Sequence, residues 1–254
     1  MKKAIVSLML CGALAGAVWA SDTTKTMSLS AQDIRRMDIT SGAGSLNVSG
    51  REGLAAIEVK AEIVAPGVKD KEMEGFIRDH VELTLEKRGD AAVLVGRIRH
   101  EDRLFRFGEN ARIDLTVAIP KSLAVEIDDG SGGIAVEDVG GDLRIEDGSG
   151  SINAVRISGN VVIDDGSGEV TVEHVGGNLE IDDGSGEIEV GDVTGDVAID
   201  DGSGEVRIRR VGGTVTLDDG SGGIDIEDVE KDVHLISTGS GGVDIAGVKG
   251  KVVR

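Results

Sequence analysis

The most regular feature of the chain is a set of apolar positions that returns every 18 residues through its C-terminal half. Each unit follows the order apolar-x-apolar, turn, apolar-x-apolar, turn. A period of two punctuated by glycine is typical of β-strands and excludes a helix. Three of the apolar columns start at Val139, Leu143 and Ile145. The other two contain Ile134, Ile152, Val170, Ile188, Val206 and Ile224, and Val136, Ala154, Val172, Val190, Ile208 and Ile226.

An Asp-Gly-Ser-Gly tetrapeptide marks one turn of each unit with the same spacing of 18 residues. A seventh copy, residues 238–241, begins with threonine and arrives one residue late, which predicts a single insertion around residues 236–238. The aspartates that open the six regular copies are Asp129, Asp147, Asp165, Asp183, Asp201 and Asp219.

A unit of two short strands cannot bury its own apolar face, so successive units must stack on one another. We therefore predict an all-β fold, a single-stranded β-solenoid with 18-residue coils and two short strands in each coil. Residues 18 apart would lie above one another at a spacing of about 4.8 Å. Columns of valine and isoleucine would fill an interior too narrow for a ligand cavity.

The N-terminal segment has the same strand and turn pattern in a less regular form. Residues 38–48 combine strand, glycine-rich turn and strand, which predicts a first coil. Met73, Phe76, Ile77 and His80, at i, i+3, i+4 and i+7, predict one short helix, capped by Asp70, that closes an end of the solenoid. Four longer strands are predicted near residues 57–63, 81–85, 93–98 and 113–119.

The first 20 residues have the three parts of a secretory signal peptide. Two lysines precede an apolar segment, residues 4–18, and small residues lead to a cleavage site after Ala20. An apolar segment of about 15 residues is too short to span a membrane, and the bulky Leu10 before Cys11 disfavours a lipoprotein anchor. We expect a periplasmic or secreted protein without membrane insertion. Its single solenoid domain is predicted over residues 21–254, with irregular coils in 30–120 and regular repeats in 121–254.

Cleavage would remove the only cysteine and two of the 27 basic residues, leaving 25 against 47 acidic ones, a net charge of −22. A chain without cysteine has no disulfide, no thiol nucleophile and no cysteine-based zinc site. The acidity argues against nucleic acid as a partner, because phosphate binding needs a basic surface. One basic and aromatic cluster is a candidate partner site or an exposed hairpin: Arg97, Arg99, His100, Arg103, Phe105, Arg106 and Phe107.

The strongest candidate for chemistry is the acidic pair that precedes each Gly-Ser-Gly turn. Carboxylates stacked about 4.8 Å apart repel one another by roughly 0.9 kcal/mol even in water, and oxygen-rich turns are what Ca²⁺ prefers. The alternative is turn chemistry, in which aspartate accepts a hydrogen bond from the amide two residues on and glycine supplies a positive φ. The candidate Ca²⁺ ligands are Asp164, Asp165, Asp182, Asp183, Asp200 and Asp201.

Catalysis has little support in the sequence. None of His80, His100, His174 and His234 lies in a hydrolase motif. The carboxylates could serve a carbohydrate-active enzyme, but the repeats have no aromatic platforms and no long loops. We therefore predict no catalytic residue and no cofactor.

Basic residues within the repeats have a structural explanation. One column reads Asp138, Arg156, His174, Asp192, Arg210 and Asp228, so that opposite charges are adjacent at most steps. A second places Arg207 between Glu189 and Asp225. Such cross-strand pairs stabilise a stack by a few tenths of a kcal/mol each.

Residues 117–132, VAIPKSLAVEIDDGSG, and the tandem copies that follow resemble the bacterial adhesin-like β-solenoid family, a domain of unknown function whose relatives include the head-GIN type. The resemblance covers residues 30–254. It implies an exported, right-handed β-solenoid with a suggested role in adhesion, and it supplies no catalytic residues. The leading hypothesis is thus a non-enzymatic, adhesin-like or envelope-associated scaffold that binds a protein or glycan surface. The alternatives are a Ca²⁺-dependent β-roll and a carbohydrate-active enzyme.

Overall fold

A computed structural model describes residues 22–99 and 110–254 of the chain. The predicted signal peptide lies outside the described residues, as do His100, Arg103, Phe105, Arg106 and Phe107. Within them lie 22 strands and one helix: β1 (Asp22–Ser30), β2 (Arg36–Ser41), β3 (Leu46–Arg51), β4 (Ala56–Val64), α1 (Asp70–His80), β5 (Val81–Arg88), β6 (Ala91–Ile98), β7 (Arg112–Pro120), β8 (Ala124–Asp129), β9 (Ile134–Glu137), β10 (Leu143–Asp147), β11 (Ile152–Ile157), β12 (Val161–Asp165), β13 (Val170–Val175), β14 (Leu179–Asp183), β15 (Ile188–Val193), β16 (Val197–Asp201), β17 (Val206–Val211), β18 (Val215–Asp219), β19 (Ile224–Val229), β20 (Val233–Thr238), β21 (Val243–Ala246) and β22 (Val252–Val253).

The strands form two eleven-stranded sheets, and each coil of the repeat region contributes one strand to each sheet. Sheet A has the order β1-β4-β7-β3-β9-β11-β13-β15-β17-β19-β21, and sheet B the order β22-β20-β18-β16-β14-β12-β10-β8-β2-β6-β5. Residues 18 apart are partners in parallel strands, as in the pair Ile145 and Ile163 and the pair Ile188 and Val206. The predicted all-β solenoid with 18-residue coils is confirmed.

The predicted apolar columns form the core. Alternate residues of a strand point to opposite faces of its sheet, so the apolar side chains of both sheets meet inside. Val170, Ile208 and Val215 have no exposed surface, and one hydrophobic cluster runs from Leu29 to Leu235.

The N-terminal coils stack in an order that differs from their order in the sequence. Strands β2 and β3 form the predicted coil, but β2 lies between β6 and β8, and β3 lies between β7 and β9. Met37, for example, pairs with Ala92 on one side and with Val125 on the other. The coil of β2 and β3 is thus flanked by β6 and β7 toward the N-terminal end of the stack. The regular array begins on its other side, with β8 and β9.

The N-terminal end of the stack is closed by antiparallel strands and α1. Strand β1 pairs with β4, and β5 pairs with β6, and α1 connects β4 to β5. Met73 and Phe76 bury the apolar face of the helix. The predicted cap was wrong by one position, because the N-cap is Lys69, without a side-chain cap bond, and Asp70 is the first helical residue. An acidic residue there still favours the helix dipole.

The C-terminal end carries the predicted insertion. Between β18 and β20 the register shifts after Leu217, so that Asp218 pairs with Ser237. The extra residue turns Ile236 outward, where it is 67% exposed. Across residues 22–99 and 110–254, no helix is long and apolar enough to cross a membrane.

Candidate functional site

The two residues of each acidic pair lie on opposite sides of sheet B. The second aspartate of each pair continues the inward-facing apolar series of its strand, whereas the first points outward. The inner ladder, with exposed fractions of only 0–6%, consists of Asp129, Asp147, Asp165, Asp183, Asp201 and Asp219. The acidic rail on the outer face consists of Asp128, Glu146, Asp164, Asp182, Asp200 and Asp218.

The inner ladder performs the predicted turn chemistry. Oδ1 of Asp183 accepts a hydrogen bond from the backbone N–H of Ser185 at 3.1 Å, and Asp165 and Asp201 accept the same bond from the serine two residues on. The other oxygen, Oδ2, of these three aspartates is buried without a hydrogen-bond partner in the described part of the chain. Each carboxyl group is therefore only half satisfied.

Glycine is required at the close contact between these turns. Gly186 has φ 158°, and a Cβ atom built there would lie 1.5 Å from the carbonyl oxygen of Gly168 in the preceding coil. Because the second glycine of each Gly-Ser-Gly turn has no side chain, the turns of successive coils can lie as close together as their strands do.

Burial dominates the electrostatics of the inner ladder. Desolvation, together with the like charge of neighbouring ladder aspartates, raises the pKa of Asp129, Asp165 and Asp201 from 3.8 to about 6. The pKa of each of the other three, Asp147, Asp183 and Asp219, is raised by burial as well. The ladder thus holds its protons more tightly than ordinary carboxyl groups.

The geometry lends no support to the Ca²⁺ hypothesis. Adjacent residues such as Asp182 and Asp183 point to opposite faces of the sheet, so their carboxylates do not converge on one ion. Across the residues that the structure describes, no group of three or more His, Cys, Asp or Glu side chains is arranged to hold a metal. Calcium binding at Asp164, Asp165, Asp182, Asp183, Asp200 and Asp201 stays a prediction.

The predicted charge column lies near the C-terminal end of the sheet-A strands, at the position that the strand pairing skips, and all six of its residues adopt a left-handed backbone with φ of 57–61°. Arg156 donates two hydrogen bonds of 2.8 Å to Asp138, and Arg210 donates two to Asp192 at 2.6 and 2.8 Å. These bonds lower the pKa of Asp138 and of Asp192. The predicted alternation of charge is confirmed, whereas the left-handed backbone was not predicted.

The second predicted column, with Arg207 between Glu189 and Asp225, has the predicted strand pairing but different ion pairs. Arg207 pairs with Glu189 on one side and with Asp225 on the other in sheet A. Its guanidinium, however, contacts Glu187 and Glu205, the residues that precede the strands. It is Arg209 that lies 3.5 Å from Asp225.

Sequence reasoning missed a ladder of side-chain amides and carboxylates at the entrance to each sheet-B strand. Oδ1 of Asn160 accepts a hydrogen bond from the backbone N–H of Asn178 at 2.9 Å, and Oδ1 of Asn178 accepts one from Asp196 at 2.9 Å. Asp142 and Asp196 accept the same bond from the next coil. Reading every eighteenth residue from Asp142 would have found this ladder.

An open groove of about 660 Å³ lies on the outer face of sheet B, between β12 and β20. Its floor includes Val162, Ala198 and Thr216, and the amide ladder forms one side. The acidic rail lies two residues further along each strand, on the other side. Over the four coil steps from Val162 to His234 the groove extends about 19 Å.

The remaining predicted residues are distributed over the surface. Within the basic cluster, Arg97 and Arg99 lie 3.0 and 3.4 Å from Glu82, and the other five residues are outside the described part. The ring of His80 packs on Phe76 at 5.3 Å between centroids.

Comparison with known proteins finds no matching family model and no match among curated proteins. Solved structures are similar over nearly the whole chain. A putative adhesin from Bacteroides fragilis NCTC 9343 shares 11% identity with a TM-score of 0.45, covering 93% of this chain and 99% of that one. A putative cell adhesion protein from Clostridium sporogenes ATCC 15579 shares 13% (TM-score 0.34; 90% and 100% covered). A putative lipid binding protein from Parabacteroides distasonis ATCC 8503 shares 12% (TM-score 0.29; 92% and 97% covered). Adhesin-like proteins, which the sequence resembles, are therefore among the solved structures similar to this chain.

Proposed function

We propose that this protein is an exported, non-enzymatic scaffold that binds a partner through the outer faces of its solenoid, as an adhesin-like or envelope-associated protein. The observation that carries the proposal is the groove on sheet B. It lies on a rigid surface of parallel strands, whereas the interior of the coils is filled by apolar side chains.

Differences between the outward and inward columns support binding at the surface. Apart from the aspartates of the inner ladder, the inward positions of the repeat strands are valine, isoleucine, leucine or alanine in coil after coil. The outward column along the groove changes at every step: Arg144, Val162, Glu180, Ala198, Thr216 and His234. A surface that varies on a uniform framework can distinguish one partner from another.

The signal-peptide pattern of residues 1–20 supports export. Support for a non-enzymatic role comes from residues 121–254, which contain no Phe, Trp or Tyr to form an aromatic platform for a sugar substrate.

A binding assay with groove-filling variants tests the proposal. The mature chain, residues 21–254, would be immobilised and incubated with bacterial outer-membrane, peptidoglycan and surface-protein fractions. Ala198→Trp fills the groove, and Thr171→Trp places the same bulk on the outer face of sheet A as a control. We expect retention of one fraction that Ala198→Trp abolishes and the control preserves.

Two results would overturn the proposal. One is a folded protein that retains none of the fractions. The other is turnover of an envelope glycan that is lost when Asp182 and Asp183 are replaced by asparagine, because that result would identify an enzyme.

A further inference from the structure

The two outer faces of the solenoid differ in how their negative charges are balanced. On sheet A, arginines lie among the carboxylates. Arg207 contacts Glu187 and Glu205, and Arg209 lies 3.4 Å from Glu227. This face supplies its own counter-charges.

On sheet B, the outward residues from β12 to β18 include no lysine or arginine. Four rail carboxylates pair in register there: Asp164 with Asp182, Asp182 with Asp200, and Asp200 with Asp218. None of the four forms an ion pair with another described residue, whereas the rail residue Glu146 lies 2.7 Å from Arg144. Like charges directly opposite one another destabilise a sheet, so this part of the rail lacks the compensation seen elsewhere.

The groove lies directly beside these four carboxylates. Glu180 adds negative charge within it, whereas Asp196 is paired with Lys231 at 3.6 Å, and Val162 and Ala198 provide an apolar floor. A length of about 19 Å matches about six residues of extended polypeptide, at about 3.3 Å per residue. In such a segment, alternate side chains face the same side and can reach the rail.

We propose that the groove and acidic rail of sheet B bind a lysine- or arginine-rich segment of a partner protein. This inference rests on the proposed function and names its partner class. Apolar stems of lysine and arginine suit the valine and alanine floor while their charged ends reach water and carboxylates. Nucleic acids and anionic membrane surfaces carry the wrong sign of charge for this face.

Binding of a labelled hexalysine peptide, followed by fluorescence anisotropy, tests the charge of this face. The rail variant is Asp164→Asn/Asp182→Asn/Asp200→Asn/Asp218→Asn. The matched control removes four charges from the outer face of sheet A, as Glu137→Gln/Glu173→Gln/Glu189→Gln/Glu227→Gln. A hexaglutamine peptide reports binding that does not depend on charge, and circular dichroism verifies that each variant is folded.

We expect the rail variant to bind hexalysine about 30-fold more weakly than the wild type, since four surface charge contacts are lost. The control variant should lose less than about threefold, and the salt dependence should decrease only in the rail variant. Equal weakening by both variants would overturn the inference, because the peptide would then respond to net charge alone. Absence of hexalysine binding by the wild type would overturn it too. If the rail variant does not fold, Asp182→Asn/Asp200→Asn replaces it, with Glu173→Gln/Glu189→Gln as the control.

The envelope-fraction assay, repeated with the rail variant, separates this inference from the proposed function. Retention equal to that of the wild type would overturn the basic-segment inference and leave the scaffold proposal intact. Hexalysine binding at the rail by a protein that retains no fraction would instead refute the scaffold proposal alone.

Discussion

Replacing one buried aspartate of the inner ladder by asparagine should stabilise the protein at neutral pH. Asp201 is 1% exposed, and its Oδ2 has no hydrogen-bond partner within the described residues. In Asp201→Asn the side-chain oxygen still accepts the N–H of Ser203, now 3.0 Å from Oδ1. The new amide also places a donor next to the carboxylates of Asp183 and Asp219, its partners in the adjacent strands.

The size of the effect follows from the raised pKa. The carboxyl group of Asp201 has an ordinary pKa of 3.8 in the unfolded chain and about 6 in the folded one. A raised folded pKa means that the folded state binds the proton more tightly, so stability is lost as pH rises from 3.8 through about 6. A difference of about two pKa units corresponds to about 3 kcal/mol above pH 7. Asp201→Asn removes this cost, whereas at pH 3.5 it removes almost nothing, because the carboxyl is then protonated in the folded state and mostly protonated in the unfolded one.

Thermal and urea unfolding of the wild type and the variant at pH 3.5, 5.5 and 7.5 measure this difference. We expect the variant to gain up to about 3 kcal/mol at pH 7.5, or about 6–12 °C in Tm, with the gain vanishing at pH 3.5. Asp200→Asn, on the exposed rail, is the matched control and should gain no more than about 1 kcal/mol, from relief of the salt-screened repulsion by Asp182 and Asp218. A gain that is independent of pH, or a loss at pH 7.5, would refute the reasoning about the buried charge.

Three further predictions concern packing and metal. Gly186→Ala should destabilise by about 3 kcal/mol in urea unfolding, because its Cβ would overlap the oxygen of Gly168. Gly75→Ala on α1, where a Cβ would meet only the Arg78 side chain at an ordinary contact distance of 3.9 Å, should stabilise by about 1 kcal/mol. Equal effects would contradict the close-approach argument. Ile208→Ala should lower the free energy of unfolding by about 2–5 kcal/mol in the same assay. Ile236→Ala, at an exposed position, should lower it by less than about 0.5 kcal/mol. The Tm of the mature chain should be the same in EDTA and in millimolar Ca²⁺, and a rise of many degrees with Ca²⁺ would restore the β-roll hypothesis.

Sequence periodicity predicted the repeat coils because each strand has one face toward the core and one toward solvent. Its apolar residues therefore alternate with polar ones and recur at the same positions in every coil. Strict alternation from Ile199 to Asp201 even implies that the second aspartate of each pair points inward. The Ca²⁺ hypothesis overlooked this step, because it took both aspartates of a pair as ligands. The order of the N-terminal coils could not be predicted in this way. The spacing of apolar positions indicates which residues face inward. It does not indicate in which order the coils stack, and so it does not predict that β6 pairs with β2 and β7 with β3.

The backbone of the charge column could not be predicted from the sequence either. Arg156, His174 and Arg210 adopt φ near +60°, as do the aspartates of the column. Aspartate and histidine are enriched in this backbone, but too weakly to predict it, and arginine carries no such signal. The stacked strands impose the conformation at the position that their pairing skips, and the pairs between coils, such as Arg156 with Asp138, help to offset its cost.

The inner and outer aspartates of each pair act on one another through the turn that they share. The hydrogen bond from Ser185 to Asp183 stabilises the turn at the end of β14, and this turn holds the strand end that carries Asp182 in place. Burying the inner carboxyl group costs stability, yet the same geometry aligns the outer carboxylates in register along the groove. Replacing the inner aspartates by asparagine should therefore raise stability without moving the rail, so that hexalysine binding by Asp201→Asn should equal that of the wild type. A loss of binding in that variant would mean that the charge of the inner ladder, and not the exposed rail alone, attracts the basic segment.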